Sequence, residues 1–176
     1  MSSRRLKTYK NKKMENKIII SIMTENDIPS IAQLEKESFA APWSEEALSV
    51  ELANDRALFL TAKDTGRLLG YIGSHLIMGE CYITNIAVFK KSRRRGVAKA
   101  LINELFRLLC EENAQFLTLE VRRSNKAAIS LYEKTGFVLS GEIKNMYEKP
   151  CEDALIYTRT VKEERSNENT CLRNIL

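Results

Sequence analysis

The chain has 176 residues, 44% of them apolar, which suits one domain whose core needs no disulfide or metal for its stability. The net charge of +5 is misleading, because residues 1–13 hold six basic and no acidic side chains, which leaves the rest of the chain at −1. We therefore expect a near-neutral domain over residues 14–161, between a basic, disordered tail at 1–13 and a polar tail at 162–176. This charge distribution does not indicate specific recognition of a nucleic acid.

Three classes of protein are excluded by composition. No apolar run is long enough to cross a membrane, and no apolar segment of a secretory signal follows the basic N-terminus, so we expect a cytoplasmic protein. The four cysteines are widely separated and the chain has a single histidine, His75. A zinc site or any other metal site is therefore not expected.

The apolar periodicity predicts seven strands and four helices. The predicted strands cover residues 17–23, 57–63, 67–78, 81–88, 116–121, 137–143 and 154–161. The first two predicted helices follow the capping residues Asp27 and Ser44, and the other two cover residues 97–112 and 125–135.

The order of these elements is β-α-α-β-β-β-α-β-α-β-β. Strands joined by hairpins precede a strand–helix–strand crossover, which predicts a single α+β domain with a mixed β-sheet flanked by helices. The sheet must splay where its antiparallel and parallel halves meet, and ligands often bind at such a point. We place that point at the ends of the strands at 82–88 and 116–121.

A basic turn, Arg-Arg-Arg-Gly-Val-Ala at 93–98, lies between a predicted strand and a predicted helix. Backbone N–H groups at a helix N-terminus lack acceptors within the helix, and the helix dipole favours an anion there. Gly96 allows the backbone to approach a ligand closely, and arginines add charge-assisted hydrogen bonds. The turn predicts a phosphate site, with a merely solvated turn as the alternative; its spacing fits neither a P-loop nor a dinucleotide fold.

Several segments, in this order and spacing, resemble the GNAT acetyltransferases. The basic turn matches their pyrophosphate loop as Arg93-x-x-Gly96-x-Ala98. The other matching segments are Asn-Ile-Ala-Val at 85–88, Leu-Glu-Val-Arg-Arg-Ser-Asn at 119–125 and Leu-Tyr-Glu-Lys-Thr-Gly-Phe at 131–137. With Pro-Trp-Ser at 42–44 and Glu-Asp-Ala at 152–154, the chain is most similar to the RimI-type ribosomal-protein-alanine N-acetyltransferases, over residues 18–161.

The resemblance implies a GNAT-like splayed sheet and transfer of an acetyl group from acetyl-CoA, without a metal, to the α-amine of a protein N-terminus. The implied acceptor is the N-terminal alanine of a basic small-subunit ribosomal protein, protein eighteen of that subunit. Glu120 would be the general base and Tyr132 the general acid. The implied acetyl-CoA-binding residues are Ile86, Ala87, Val88, Arg94, Arg95, Gly96, Val97, Ala98, Lys99 and Asn125.

The chemistry of the reaction is consistent with a carboxylate at position 120. An α-amine has a pKa of ~7.7–8.0, so part of it is protonated near neutral pH and cannot attack until a base removes the proton. Glu120 ends a strand at the predicted splay, where such a base should lie. Its alternative role is a surface ion pair with Arg122 or Arg123.

Tyr132 and Asn125 also have structural alternatives. The departing CoA thiolate needs a proton or a hydrogen bond, which Tyr132 could supply from the helix that follows Asn125. Tyr132 could equally be an aromatic core residue that packs beside Phe137. Asn125 could cap its helix, and both roles are compatible with binding of acetyl-CoA.

The acceptor is less well defined by the sequence. Four glutamates expected near the groove suit a basic peptide: Glu35, Glu37, Glu45 and Glu46. Met146 stands where RimI-type enzymes carry a tyrosine, in Asn145-Met146-Tyr147, which weakens the prediction of the peptide. The alternatives are a GNAT enzyme for a small-molecule amine and an acetyl-CoA-binding module without turnover, and the oligomeric state stays open.

Overall fold

The computed structural model describes residues 17–161, so the predicted tails at 1–13 and 162–176 lie outside the described residues. The predicted number and order of elements are confirmed. The strands are β1 (Ile19–Ile22), β2 (Ala57–Asp64), β3 (Arg67–Ile77), β4 (Glu80–Val88), β5 (Phe116–Arg122), β6 (Val138–Glu148) and β7 (Cys151–Thr160). The helices are α1 (Ile28–Ser38), α2 (Glu45–Leu52), α3 (Val97–Glu111) and α4 (Lys126–Lys134).

The seven strands form one mixed sheet in the order β1-β2-β3-β4-β5-β7-β6. All neighbouring strands run antiparallel except β4 and β5, which are parallel. Their pairing is confined to Glu80–Tyr82 of β4 and Phe116–Thr118 of β5. Beyond these residues the two strands part, so the predicted α+β fold with a splayed sheet is confirmed.

A β-bulge lies in β4 at the point where it leaves β5. Gly73 of β3 pairs with Asn85, and Ser74 pairs with Ile83, so Thr84 is an extra residue without a partner on β3. Bulges bend the strand that carries them. A Cβ atom on Gly73 would lie 2.6 Å from the Phe59 ring, so only glycine fits beside the bulge without a shift of its neighbours.

One core lies between α3 and a face of the sheet. Val97, Leu101, Leu105 and Leu109 recur every four residues along α3 and are at most 2% exposed. They pack with buried side chains of β2, β3, β4 and β5, and each fully buried leucine contributes about 1.5–3 kcal/mol. This packing places the N-terminus of α3 beside the end of β4.

A second core covers the opposite face of the sheet. Ile31 and Leu34 of α1 and Leu48 of α2 pack against Phe59 and Tyr71. The predicted cap of α2 is confirmed, since Ser44 Oγ accepts a hydrogen bond of 3.2 Å from the Ala47 N–H. Among residues 17–161, no helix is long and apolar enough to span a membrane.

Asp27 precedes α1 as expected, but its side chain does not cap that helix. Its carboxylate accepts hydrogen bonds from the backbone and hydroxyl of Thr24 and forms a 2.7 Å ion pair with Lys63 of β2. Burial acts to raise the pKa of Asp27, but the bonds from Lys63 and Thr24 outweigh it and hold the pKa below its usual value. Asp27 therefore joins the start of α1 to the sheet.

The last two strands are longer than predicted. The polar residues between 143 and 154 lie between the two predicted strands, and in the structure they continue β6 and β7 into one long hairpin. Asn145 adopts a left-handed conformation with φ of 52°, at an irregularity in the pairing between Ile143 and Tyr147. Ion pairs of Asp153 with Lys144 and Arg123 stabilise this edge. The alternating apolar pattern of a half-buried strand is absent from the sequence here because β6 is mostly exposed.

Candidate active site

An open cavity of about 550 Å³ lies where β4 and β5 part. Its walls come from β4, β5, the buried side of α4 and residues 38–41, which span the end of α1 and the residues just after it. On this side of β4, the residues beyond Tyr82 have no strand partner in β5. The cavity therefore lies at the switch point expected from the order of the strands.

Glu120 lines this cavity, and its side chain makes no hydrogen bond or ion pair with any residue between 17 and 161, although its backbone is paired with β7. The alternative pairing with its neighbouring arginines is not formed. Arg122 pairs with Glu152 of β7. Arg123 pairs with Glu142 of β6 and, at 3.4 Å, with Asp153 of β7. The carboxylate of Glu120 is thus available to a ligand in the cavity.

Tyr132 lines the same cavity although it is only 5% exposed. Its ring packs against Phe137 with 5.8 Å between centroids, so the predicted packing contact is present together with access to the cavity. Burial, and to a lesser degree the nearby Tyr147, raise the pKa of Tyr132 to about 12. The phenol therefore keeps its proton at neutral pH and acts as a hydrogen-bond donor.

The basic turn adopts a backbone that suits close approach by an anion. Arg94 and Gly96 have φ values of 62° and 81°, and a Cβ atom on Gly96 would meet no atom within 4 Å. The first helical hydrogen bond of α3 joins the Ala100 N–H to Gly96 O at 2.9 Å. The N–H groups of residues 97–99 consequently have no acceptor within the helix and mark an anion-binding end.

Four of the predicted acetyl-CoA-binding residues line the cavity together with Glu120 and Tyr132: Ile86, Val88, Ala98 and Asn125. The predicted capping role of Asn125 is also confirmed, because its Oδ1 accepts a 3.2 Å hydrogen bond from the Ala128 N–H. The carbonyl oxygen of Val88 is already bound by Arg93 Nε at 3.1 Å. Arg93 thus ties the end of β4 to the basic turn.

The remaining predicted residues do not line this cavity: Ala87, Arg94, Arg95, Gly96, Val97 and Lys99. The side chains of Ala87 and Val97 are buried in the two cores, so only their backbone could contact a ligand. Arg95 lines a neighbouring cavity of about 330 Å³ with Arg67 and Lys91, and pairs with Asp64 at 2.9 Å. This second cavity extends a cationic surface beyond the turn.

Tyr147 lines the cavity and is not among the site residues predicted from the sequence. Arg122 lies over its ring, 4.0 Å from the centroid, and donates to the carbonyl oxygens of Lys149 and Pro150 at 3.2 Å. Burial and the nearby Glu120 raise the pKa of Tyr147 against the opposing effect of Arg122. The signal in the sequence is the run Asn145-Met146-Tyr147, which corresponds to the Asn-Tyr-Tyr that RimI-type enzymes carry near the substrate groove.

The prediction that four glutamates lie near the groove is wrong for the cavity between β4 and β5. Glu35 is fully buried and hydrogen-bonded, so it presents no charge to a peptide. Glu37, Glu45 and Glu46 are exposed but do not line the cavity. Met146 is 43% exposed and also lies outside the cavity lining, whereas the adjacent tyrosine supplies a phenol there.

Comparison with known proteins identifies the family. The model of the acetyltransferase (GNAT) family matches residues 28–137. A protein of Bacillus subtilis, provisionally named as an N-acetyltransferase of the ribosomal protein bS18 alanine, is 36% identical over 151 residues, which cover 85% of this chain and 100% of its own. The ribosomal protein bS18-alanine N-acetyltransferase of Salmonella typhimurium is 35% identical over 141 residues, which cover 78% of this chain and 93% of that enzyme's length.

A solved structure is similar over the same region. The crystal structure of the ribosomal-protein-S18-alanine N-acetyltransferase from Escherichia coli is 31% identical with a TM-score of 0.76, covering 82% of this chain and 94% of its own. The family model matches more than half of the chain. The relatives and the splayed sheet indicate the same family. The chain therefore belongs to the GNAT family of acetyltransferases.

Proposed function

We propose that this chain transfers an acetyl group from acetyl-CoA to the α-amine of the N-terminal alanine of ribosomal protein bS18. The relatives named for that activity match most of the chain and most of their own length. The observation that carries the proposal is the presence, in one cleft, of a carboxylate without an ion pair among residues 17–161, Glu120, and of a protonated phenol, Tyr132. A base for the amine and a hydrogen-bond donor for the leaving group are the two groups that would accelerate acetyl transfer to an amine.

The shape of the cleft fits acetyl-CoA as the donor. The N–H groups of residues 97–99 and the open space at Gly96 suit the pyrophosphate, and the cationic cavity of Arg67 and Lys91 suits further phosphate. From the turn, the larger cavity between β4 and β5 extends past Ile86 to Glu120. The pantetheine chain would follow this direction. The backbone of β4 beyond Tyr82 would hold that chain, because β5 leaves it uncovered.

Glu120 would remove the proton from the ammonium group of the acceptor, directly or through water. The neutral amine then attacks the thioester carbonyl, the C–N bond forms, and the C–S bond breaks with the electron pair on sulfur. The nitrogen, positively charged after attack, releases its second proton to solvent as the amide forms. An α-amine suits this base better than a lysine side chain, whose pKa of ~10.4 exceeds the ~7.7–8.0 of the α-amine. Its lower basicity allows one carboxylate to deprotonate it near neutral pH.

Tyr132 would stabilise the departing thiolate. A phenol with a pKa of about 12 is a weak acid, while a thiol has a pKa of ~8.5, so complete proton transfer to sulfur is unfavourable. A hydrogen bond from the phenol to the thiolate needs no such transfer. We therefore assign Tyr132 the donation of a hydrogen bond as the C–S bond breaks.

The proposed acceptor predicts which peptides are acetylated. A peptide with the N-terminal sequence of bS18 and a free alanine should react, and the same peptide with a blocked N-terminus and intact lysines should not. Product mass and the mass of bS18 from cells with and without the protein provide the measurement. Faster acetylation of the blocked peptide or of a small amine would contradict the proposal, and acetyl-CoA binding without any turnover would make the chain a binding module.

The proposed pyrophosphate site predicts the effect of a side chain at the basic turn. In Gly96→Val, the Cβ and its methyl groups project into the space assigned to the pyrophosphate, and the left-handed backbone is strained. The Kd of acetyl-CoA should rise about 10-fold or more, equivalent to the loss of one or two charge-assisted hydrogen bonds. Calorimetric titration measures it, with circular dichroism to confirm folding. A folded variant with the affinity of the wild type would exclude the turn.

The proposed base predicts a loss of activity that depends on pH. Glu120→Gln keeps the shape but removes the base, so kcat should fall roughly 100-fold at pH 7. The defect should shrink above pH ~8, because the α-amine then loses its proton to solvent. A pH profile of kcat tests this, with Glu111→Gln on the exposed end of α3 as the matched control. A defect that is constant across pH would argue against proton removal by Glu120.

The proposed hydrogen bond to sulfur predicts the behaviour of Tyr132→Phe. This variant retains the ring that packs on Phe137, so stability and acetyl-CoA affinity should change little, while kcat falls roughly 10-fold or more. The exposed Tyr82, which does not line the cavity, gives the control variant Tyr82→Phe. A kcat equal to that of the control would leave Tyr132 as a core residue only.

A further inference from the structure

A fully buried carboxylate lies behind one wall of the cavity. Glu35, in the last turn of α1, is 0% exposed. It accepts hydrogen bonds from the Tyr71 hydroxyl, from Asn85 Nδ2 at 2.9 and 3.0 Å, and from the backbone N–H of Trp43 at 3.0 Å. Both carboxylate oxygens are thereby satisfied.

The position of Glu35 is costly for a group that only fills space. Within residues 17–161 no lysine or arginine forms an ion pair with it, and the C-terminal end of a helix disfavours negative charge. A buried carboxylate is tolerated only when hydrogen bonds replace its lost hydration. An apolar side chain of similar volume would pack without that cost, so the contribution specific to Glu35 is its set of hydrogen bonds.

The donors to Glu35 come from three separate elements. Tyr71 lies on β3, Asn85 on β4, and Trp43 at the end of the segment that joins α1 to α2. Glu35 and Trp43 close this segment into a loop, and residues 38–41, at the end of α1 and the start of the segment, form a wall of the cavity. Asn85 of β4 lines the same cavity. Glu35 therefore holds the segment and β4 in a fixed arrangement.

We propose that Glu35 is a positioning residue for the acceptor: it holds the wall at residues 38–41 against β4 and so sets the fit of the incoming N-terminus. This inference rests on the proposed function. Because it is fully buried, Glu35 does not touch a substrate in the cavity. It forms no hydrogen bond or ion pair with the basic turn at 93–98. Its contact with β4 is made to the Asn85 side chain and not to the backbone proposed to hold acetyl-CoA, so we expect it to act on the acceptor.

The exchange Glu35→Gln tests this role with minimal change in volume. The new NH₂ group is a donor, and at either oxygen position it faces the Asn85 Nδ2 donor, so at least one of the four hydrogen bonds is lost. We expect KM for the alanine peptide to rise about 10-fold, with the Kd of acetyl-CoA within about two-fold of wild type. Glu111→Gln, the same exchange at an exposed position, should change neither.

A second variant acts at a distance from the cavity. Tyr71 is buried and does not line the cavity, and burial together with the bond to Glu35 raises its pKa. Tyr71→Phe removes one of the donors without touching the wall, so KM for the peptide should rise by a smaller factor. Combined with Glu35→Gln, it should add less than its separate effect, because both variants interrupt the same contact.

Trp43 supplies a measurement that needs no peptide. It is the one tryptophan of the chain, so its fluorescence reports on the loop directly. In Glu35→Gln, the emission of Trp43 should shift to longer wavelength and its backbone amide should exchange hydrogen about 10-fold faster or more. The amides of α3 should be unchanged.

Two results would overturn the inference: unchanged emission and exchange at Trp43, or a mobile Trp43 with an unaltered KM for the peptide. A loss of thermal stability with no change in KM would make Glu35 a purely structural residue. If the wild-type protein acetylates no α-amine, the proposed function itself fails, and exchange at Trp43 still decides whether Glu35 holds the loop. The two failures are thus distinguishable.

Discussion

The parting of β4 from β5 is the constraint on which the rest of the site depends. Hydrogen bonds join the two strands only at their beginnings, and the bulge at Thr84 bends β4 away from its neighbour. Separation of the strands uncovers the backbone of β4, opens the cavity and leaves Glu120 facing it. A continuous parallel pair would satisfy more backbone groups but would leave no cleft between the basic turn and α4.

The distribution of charge keeps the cleft ready for proton transfer. Arg122 lines the cleft and pairs with Glu152; its neighbour Arg123 pairs with Glu142, and Arg95 of the basic turn pairs with Asp64. These pairs join β5 to the β6–β7 hairpin and the basic turn to the end of β2. None of the three arginines forms an ion pair with Glu120, whose role as a base would be weakened by a permanent cation.

Buried polar groups fix α1 on the sheet at some cost in stability. Glu35, with its three donors, lies near the end of this helix, and Asp27, paired with Lys63, lies at its start. Buried polar networks stabilise a single arrangement when every member is satisfied. Both networks connect α1 to the sheet, so the helix that leads into the cavity wall at 38–41 is held at each end.

The sequence by itself determined the order of elements, the caps at Ser44 and Asn125, and the Gly96 turn, because each depends on residues close together in the chain. The motifs also indicated Glu120 and Tyr132. Only the tertiary structure decided that Glu35 is buried, that no arginine of residues 17–161 pairs with Glu120, and that β6 extends past Tyr147 to Glu148. These features depend on which elements pack face to face, and the pairing of residues distant in sequence leaves no local periodic pattern.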